Sequence, residues 1–280
     1  MGANIHSITF NHQEILDGYR SYEEMKTGKW GKSTVLFPFP NRLRDGKYQW
    51  LGQSYSFPLN NAATGNAIHG FARDHAFKVD KIELLPDAAT LICDLHSQGH
   101  PAGYPFQFIL QLKCTITDQQ MFKLEVACRN LHHHAIPVGF GWHPYFQLAE
   151  TADKHFLQLP PAEQVQIDDR MIPTGQRTPY TAFKDKKQLE HTVLDTCFRA
   201  TGKGSYHLRL SGKGERTLRV SASAAQCPFF QVFTPPHRQS IALEPMSCNV
   251  DAFNNGEGLV ALDPQKTWKT SVEVAMLQDV

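Results

Sequence analysis

The 280-residue sequence has almost no excess of either charge. Lys and Arg number 28 against 27 Asp and Glu, for a formal net charge of +1. No block of like charge occurs, so no strong field draws the chain to nucleic acid or to an anionic membrane. The balance points to a small, mostly neutral ligand. Long apolar runs are also missing, and nothing approaches the ~20 residues needed to cross a bilayer. Residues 1–19 lack the basic start and apolar run of a secretory signal. The six cysteines, at 93, 114, 128, 197, 227 and 248, form no CxxC pair, which argues against a zinc knuckle or a redox motif. Dispersed thiols without a signal peptide read as reduced and mostly buried, and a cytoplasmic location is expected. HExxH, GxSxG, a phosphate loop and GxGxxG are all absent. Their absence weighs against common hydrolase, kinase and dehydrogenase chemistry.

What is present is period-two alternation. Hydrophobic residues make up 41%, enough for a substantial core. Phe122, Leu124, Val126 and Cys128 alternate with Lys123, Glu125 and Ala127, and Phe106–Thr117 reads as the strand before them. Asp118-Gln119-Gln120 would be the hairpin loop. Tyr206–Leu210 and Thr217–Ser221 flank Gly212-Lys213-Gly214-Glu215, a second hairpin. Asp80–Leu95 divides into two strands at Pro86-Asp87, and Val272, Val274 and Met276 mark a last strand. No long helical stripe appears. Seventeen prolines and nineteen glycines punctuate short segments, as in a sandwich. There is no repeat or flexible linker, and Lys184–Lys187 reads as a solvated loop. The expectation is a single all-β domain over residues 1–280, built from stacked antiparallel sheets.

Four segments combine polar groups, aromatics and backbone breakers. In Leu36–Tyr48, Arg42 lies between Phe39 and Leu43. A guanidinium there needs an acceptor, either a carboxylate in a structural salt bridge or the hydroxyls of a ligand. In Ala67–Arg73, Gly70 permits close backbone approach beside His69, which is either a structural histidine or a ligand contact. In Gly139–Phe146, Pro144 biases His143 toward an extended backbone. Trp142, Tyr145 and Phe146 offer apolar faces and polar handles suited to the C–H face and hydroxyl rim of a sugar. In Ser240–Pro245, Ile241 and Leu243 share one strand face, which leaves Ala242 and Glu244 on the other. Pro245 is expected to end this strand or confine it to an edge. Glu244 is then a candidate general base on a rigid strand end, or a paired structural carboxylate. His132-His133-His134 is discounted as a metal site, because adjacent strand residues point to opposite faces.

Read together, these segments resemble the aldose 1-epimerase (galactose mutarotase) superfamily. The matching pieces are Asn41-Arg42-Leu43 with Gly46-Lys47-Tyr48, His69-Gly70-Phe71, Trp142 through Leu148, Leu194 through Phe198, and Leu243 through Pro264. Five pieces in the correct order span almost the whole chain. The resemblance implies a large antiparallel β-sandwich, the galactose mutarotase-like supersandwich, with an open cleft. It implies an isomerase of carbohydrate metabolism that interconverts the α and β anomers of a free aldose. It makes Glu244 the general base, His143 the general acid and His69 a second active-site histidine beside the ring oxygen. Arg42 and Asp195 would bind sugar hydroxyls, with Asn41, Trp142 and Tyr145 beside them. No cofactor and no metal are implied, since only a C–O bond breaks. The expected partner is a small sugar, with the chain a monomer or homodimer.

Gln147 stands where many family members carry Asn. Arg73, trailing His69-Gly70-Phe71-Ala72, resembles the hexose-6-phosphate branch, in which arginines bind the phosphate. Arg73 with Arg44 or Arg238 would form such an anion site, or else each makes a surface salt bridge. Three functions are therefore weighed: a free-aldose 1-epimerase, a hexose-6-phosphate 1-epimerase, and a non-catalytic sugar-binding module on the same fold.

Overall fold

The computed structural model describes residues 2–99, 103–212 and 216–278. Two large antiparallel sheets carry the chain. The first has nine strands, with Arg216–Ser223, Thr267–Gln278, Met121–Asn130, Gln107–Thr117 and Ala88–Gln98 adjacent in that order at its centre. The second has eight, and its centre runs Asp195–Ala200, Phe229–Phe233, Ile241–Met246. Helix is confined to short turns such as Tyr22–Lys26 and Ala252–Asn255. No helix among the described residues is long and apolar enough to cross a membrane.

The alternation read from sequence is the alternation of burial. Phe122, Leu124, Val126 and Cys128 are 5% exposed or less. Each fully buried apolar side chain of this kind stabilises the fold by about 1.5–3 kcal/mol. The cross-sheet contacts are aromatic in part: Phe122 meets Trp142 at 5.7 Å, Phe108 meets Phe37 at 5.1 Å and Tyr206 meets Phe230 at 5.5 Å between ring centroids. These side chains belong to one contiguous cluster of buried residues. Thr117 pairs with Met121 across the expected three-residue loop, where Gln120 takes φ +55°. The strands flanking Pro86-Asp87 also pair as expected. Residues 213–215 of the other expected turn lie outside the described residues, but its strands pair from Ser211–Thr217 to Ser205–Ser223. All six cysteines are free thiols.

One expectation fails. The strand bearing Glu244 neither ends at Pro245 nor lies at an edge. It runs Ile241–Met246 through the middle of the eight-stranded sheet, with Pro245 opposite Phe230. The neighbouring ribbon explains this tolerance. It pairs as Gly141 with Met246 and as Tyr145 with Ala242, and is interrupted between them at His143-Pro144. The Leu243 amide donates to Pro144 on this side. Backbone N–H groups alternate in direction, so the one that Pro245 lacks would face the interruption.

Candidate active site

Strand register builds one wall of a cavity. Gln231 lies directly opposite Glu244, Phe233 opposite Ala242, and Asp195 opposite Phe233. Tyr145 adjoins Ala242 on the far side. Directly opposed residues share a sheet face, so Asp195, Gln231, Phe233, Glu244 and Tyr145 all face the same hollow. The small Ala242 leaves space between the two larger neighbours. Asn41, Arg42, His69, Arg73 and His143 close the cavity with Trp30, Gly28, Gly31, Asn60, Asn61 and Ile68. Its volume is about 330 Å³, at the small end of ligand pockets.

His143 sits at the strand interruption. Its backbone is fixed from both sides: its N–H donates to Thr34 at 3.1 Å and its carbonyl accepts from Ser33 at 2.8 Å. The imidazole stacks on Tyr145, with centroids 4.9 Å apart and planes 16° apart, and meets His69 edge-on at 5.3 Å. Nε2 of His143 lies 3.3 Å from Oε1 of Glu244. Nδ1 is buried with no hydrogen-bond partner. Burial pushes the imidazole down to about 3, and the Arg73 charge adds to the shift. Burial also drives the Glu244 carboxyl well above its ordinary range; Asp195 reinforces this and Arg42 opposes it. Both groups are thus pressed toward neutrality, so the pair holds one proton between them.

His69 reaches the cavity through strained backbone. His69 has φ +69° and Gly70 φ +61°. A Cβ at Gly70 would come within 2.1 Å of the Phe37 carbonyl oxygen, so this turn needs glycine. Nδ1 of His69 accepts the Asn41 amide at 3.2 Å, and the His69 amide donates to the Asn41 carbonyl at 2.8 Å. The acceptor role of Nδ1 places the ring proton on Nε2. Burial first, then the His143, Arg73 and Arg42 charges, hold this imidazole well below its usual range. His69 is therefore a neutral donor.

A relay of polar side chains runs along the floor. Arg42 donates to Asn41 Oδ1 at 2.8 Å, Asn41 Nδ2 donates to Gln231 Oε1 at 3.2 Å, and Gln231 Nε2 donates to Asp195 Oδ1 at 2.6 Å. Arg42 Nε remains buried without a partner. Burial raises the Asp195 carboxyl, opposed by Arg42 and by the Gln231 hydrogen bond. Gln231 thus orients two residues singled out from sequence, yet sequence reasoning missed it. The available signal was its position as the lone polar residue of Phe229–Phe233.

Two sequence readings need correction. Trp142 is fully buried and points into the core against Phe122, with Nε1 donating to the Ser33 carbonyl at 3.3 Å. It alternates away from the face that carries His143. The cavity's indole is Trp30, whose carbonyl accepts the Tyr145 hydroxyl at 3.0 Å. Phe146 is likewise fully buried in the core. Of the two readings of the arginines, the salt bridge holds for Arg44 and Arg238, which do not join Arg73. Arg44 pairs with Asp168 at 3.3 Å, and Arg238 is held by Asp153 and the Glu190 and Thr192 carbonyls. Each satisfies a local acceptor, and only Arg73 faces the cavity. His132, His133 and His134 stack on one another in a separate loop.

Comparison with known proteins agrees with this architecture. The family model for aldose 1-epimerase matches residues 1–275. Uncharacterized protein YihR of Escherichia coli K12 is 30% identical over 272 residues, covering 95% of this chain and 85% of that one. The galactose 1-epimerase structure from Lactobacillus acidophilus NCFM superposes with a TM-score of 0.84 at 16% identity, over 100% of this chain and 90% of that one. A galactose mutarotase-like protein from Clostridium acetobutylicum gives 0.84 at 18% identity, over 95% and 86%. These two structures show the same fold, and with the family match over nearly its full length the chain belongs to the aldose 1-epimerase family.

Proposed function

We propose that the protein is an aldose 1-epimerase that opens and recloses the ring of an aldose, with Glu244 as base and His143 as acid. The observation that carries this reading is the convergence of the two side chains, 3.3 Å apart, in one monosaccharide-sized cavity. Exchange of anomers requires the proton on the C1 hydroxyl to leave and one to reach the ring oxygen. Both oxygens are bonded to C1, so they lie closer together than hydrogen-bonded atoms. An acid and a base in mutual contact match that spacing.

The single proton of the pair suits the chemistry. With the proton on His143, the Glu244 carboxylate accepts from the C1 hydroxyl as the imidazolium donates to the ring oxygen. The C1–O bond of the ring breaks, the aldehyde forms, and C1 turns about C1–C2. The roles then reverse for closure on the other face. Protons are returned in each cycle, and no hydride moves. His69 Nε2–H donates near the ring oxygen, while Arg42, Asp195 and the Asn41–Gln231 bridge hold hydroxyls. Placed acid–base groups contribute about 10²–10⁴-fold each.

Polarimetry of freshly dissolved α-glucose and α-galactose tests this reading. The wild-type protein accelerates the approach to equilibrium, and His143→Ala and Glu244→Ala each lose about 10²-fold or more while staying folded by circular dichroism. Wild-type turnover in either variant contradicts the assignment. Sugar binding without accelerated exchange would make the chain a binding module instead.

A further inference from the structure

Of the charged side chains that line the cavity, Arg42, Arg73, Asp195 and Glu244, Arg73 alone is left unused by the ring-opening chemistry. Its side chain is only 18% exposed. A guanidinium offers five N–H donors, yet among the described residues Arg73 meets no hydrogen-bond acceptor, and its Nε is buried without one. Its charge partner is Asp74, 3.8 Å away and 68% exposed. Such a contact is largely screened by water. Arg42, by contrast, is tied to Asn41 and shares its surroundings with Asp195. A desolvated cation facing a cavity without an acceptor is costly unless a ligand supplies one. Space for that ligand is present: Gly28 and Gly31 line this end, and a Cβ at Gly28 would meet no atom within 4 Å.

The position of Arg73 fixes which part of a sugar it meets. Its guanidinium lies against Gly31, at the start of the turn whose Ser33 and Thr34 backbone fixes His143, whereas Asp195 is tied through Gln231 to the strand that carries Glu244. The glutamate side serves the C1 hydroxyl and the histidine side serves the ring oxygen. Beyond the ring oxygen lies C5, whose substituent outside the ring is C6. We propose that the preferred substrate is an acidic aldose with a singly charged oxyanion, carboxylate or sulfonate, at C6, held by Arg73. A phosphate dianion fits less well, because Arg44 and Arg238 are committed elsewhere. Charge-assisted hydrogen bonds to a buried guanidinium are about twice as strong as neutral ones.

This inference rests on the epimerase reading, and its test separates the two. Anomer exchange is measured by NMR for glucose, glucuronic acid and glucose 6-phosphate with wild type, Arg73→Gln and Arg73→Lys. The expected wild-type kcat/KM for glucuronic acid exceeds that for each of the other sugars about tenfold or more. The ratio to glucose collapses in Arg73→Gln and partly returns in Arg73→Lys. A wild-type enzyme that prefers glucose or glucose 6-phosphate, or a preference that survives Arg73→Gln, overturns the proposal. In parallel, calorimetry compares glucuronate and glucose binding to Glu244→Gln, which keeps Arg73. Equal affinities overturn the proposal even if no sugar is epimerised. Tighter glucuronate binding without exchange in wild type supports it and removes only the epimerase reading.

Discussion

Nε2 of His143 and Oε1 of Glu244 face one another at 3.3 Å inside a buried cavity, and neither side chain is more than 7% exposed. Two consequences follow from this contact. The pair holds one proton in its reactive form, and the environment that favours neutrality sets the pH range over which that form persists.

On the acid side, activity is therefore expected to stay level through the pH range in which a free histidine titrates. A second proton joins the pair only when the imidazole charges, and burial holds that step at about 3. The shared proton leaves only above the ordinary carboxylate range, because Glu244 is raised. The kcat/KM profile on a neutral aldose, which reports the free enzyme, should show no acid limb between pH 5 and 7. A limb near 6.5 would mean an imidazole titrating as it does in water, contrary to its burial.

Glu244 should cost stability as pH rises. Its folded-state pKa is raised above the unfolded value of about 4.5. Below that value both states are protonated. Above it the unfolded chain releases a proton that the folded chain keeps, so stability falls until the folded-state pKa is passed. Glu244→Gln does not titrate. Its stability advantage over wild type should grow between pH 5 and 8, by at most about 1.4 kcal/mol per unit. Urea midpoints at the two pH values measure this, and a constant difference would contradict the raised carboxyl.

Gln231 should matter although it does no proton transfer. It accepts from Asn41 and donates to Asp195, so replacement by Leu leaves a buried amide donor and a carboxylate without partners. Each such loss costs about 1–3 kcal/mol. The expected result for Gln231→Leu is a KM raised roughly tenfold or more, with a smaller change in kcat. A change in kcat alone would place Gln231 in the chemistry instead.

The contrast between Glu244 and Gln231 shows how far the sequence was legible. Strand period put Glu244 on the polar face of Ser240–Pro245, and that face lines the cavity. Gln231 lines it too, but its importance arises from cross-strand register with Glu244, which no local pattern encodes. Pro245 misled for a related reason. Its tolerance in a central strand depends on the interruption at His143-Pro144 in the neighbouring ribbon. Arg44, Arg73 and Arg238 look alike in sequence, and only the fold separates the two with local acceptors from the one without.

The two tryptophans test the same point by experiment. An aromatic next to His143 looked suited to a sugar face, but Trp142 is core, while Trp30, distant in sequence, lines the cavity. Trp142→Phe removes the donation to Ser33 and part of the packing on Phe122. It should lower stability by about 1–3 kcal/mol and leave KM within about twofold. Trp30→Ala should do the reverse, because the indole is partly exposed at the cavity mouth and packs loosely on Phe233 at 6.2 Å and His237 at 5.5 Å. Its KM should rise about tenfold with little change in Tm, since an aromatic platform under a sugar contributes to binding rather than to the core. Thermal melts and initial-rate kinetics on both variants decide the matter. If Trp142→Phe shifts KM while Trp30→Ala does not, the wall of the cavity has been assigned to the wrong indole.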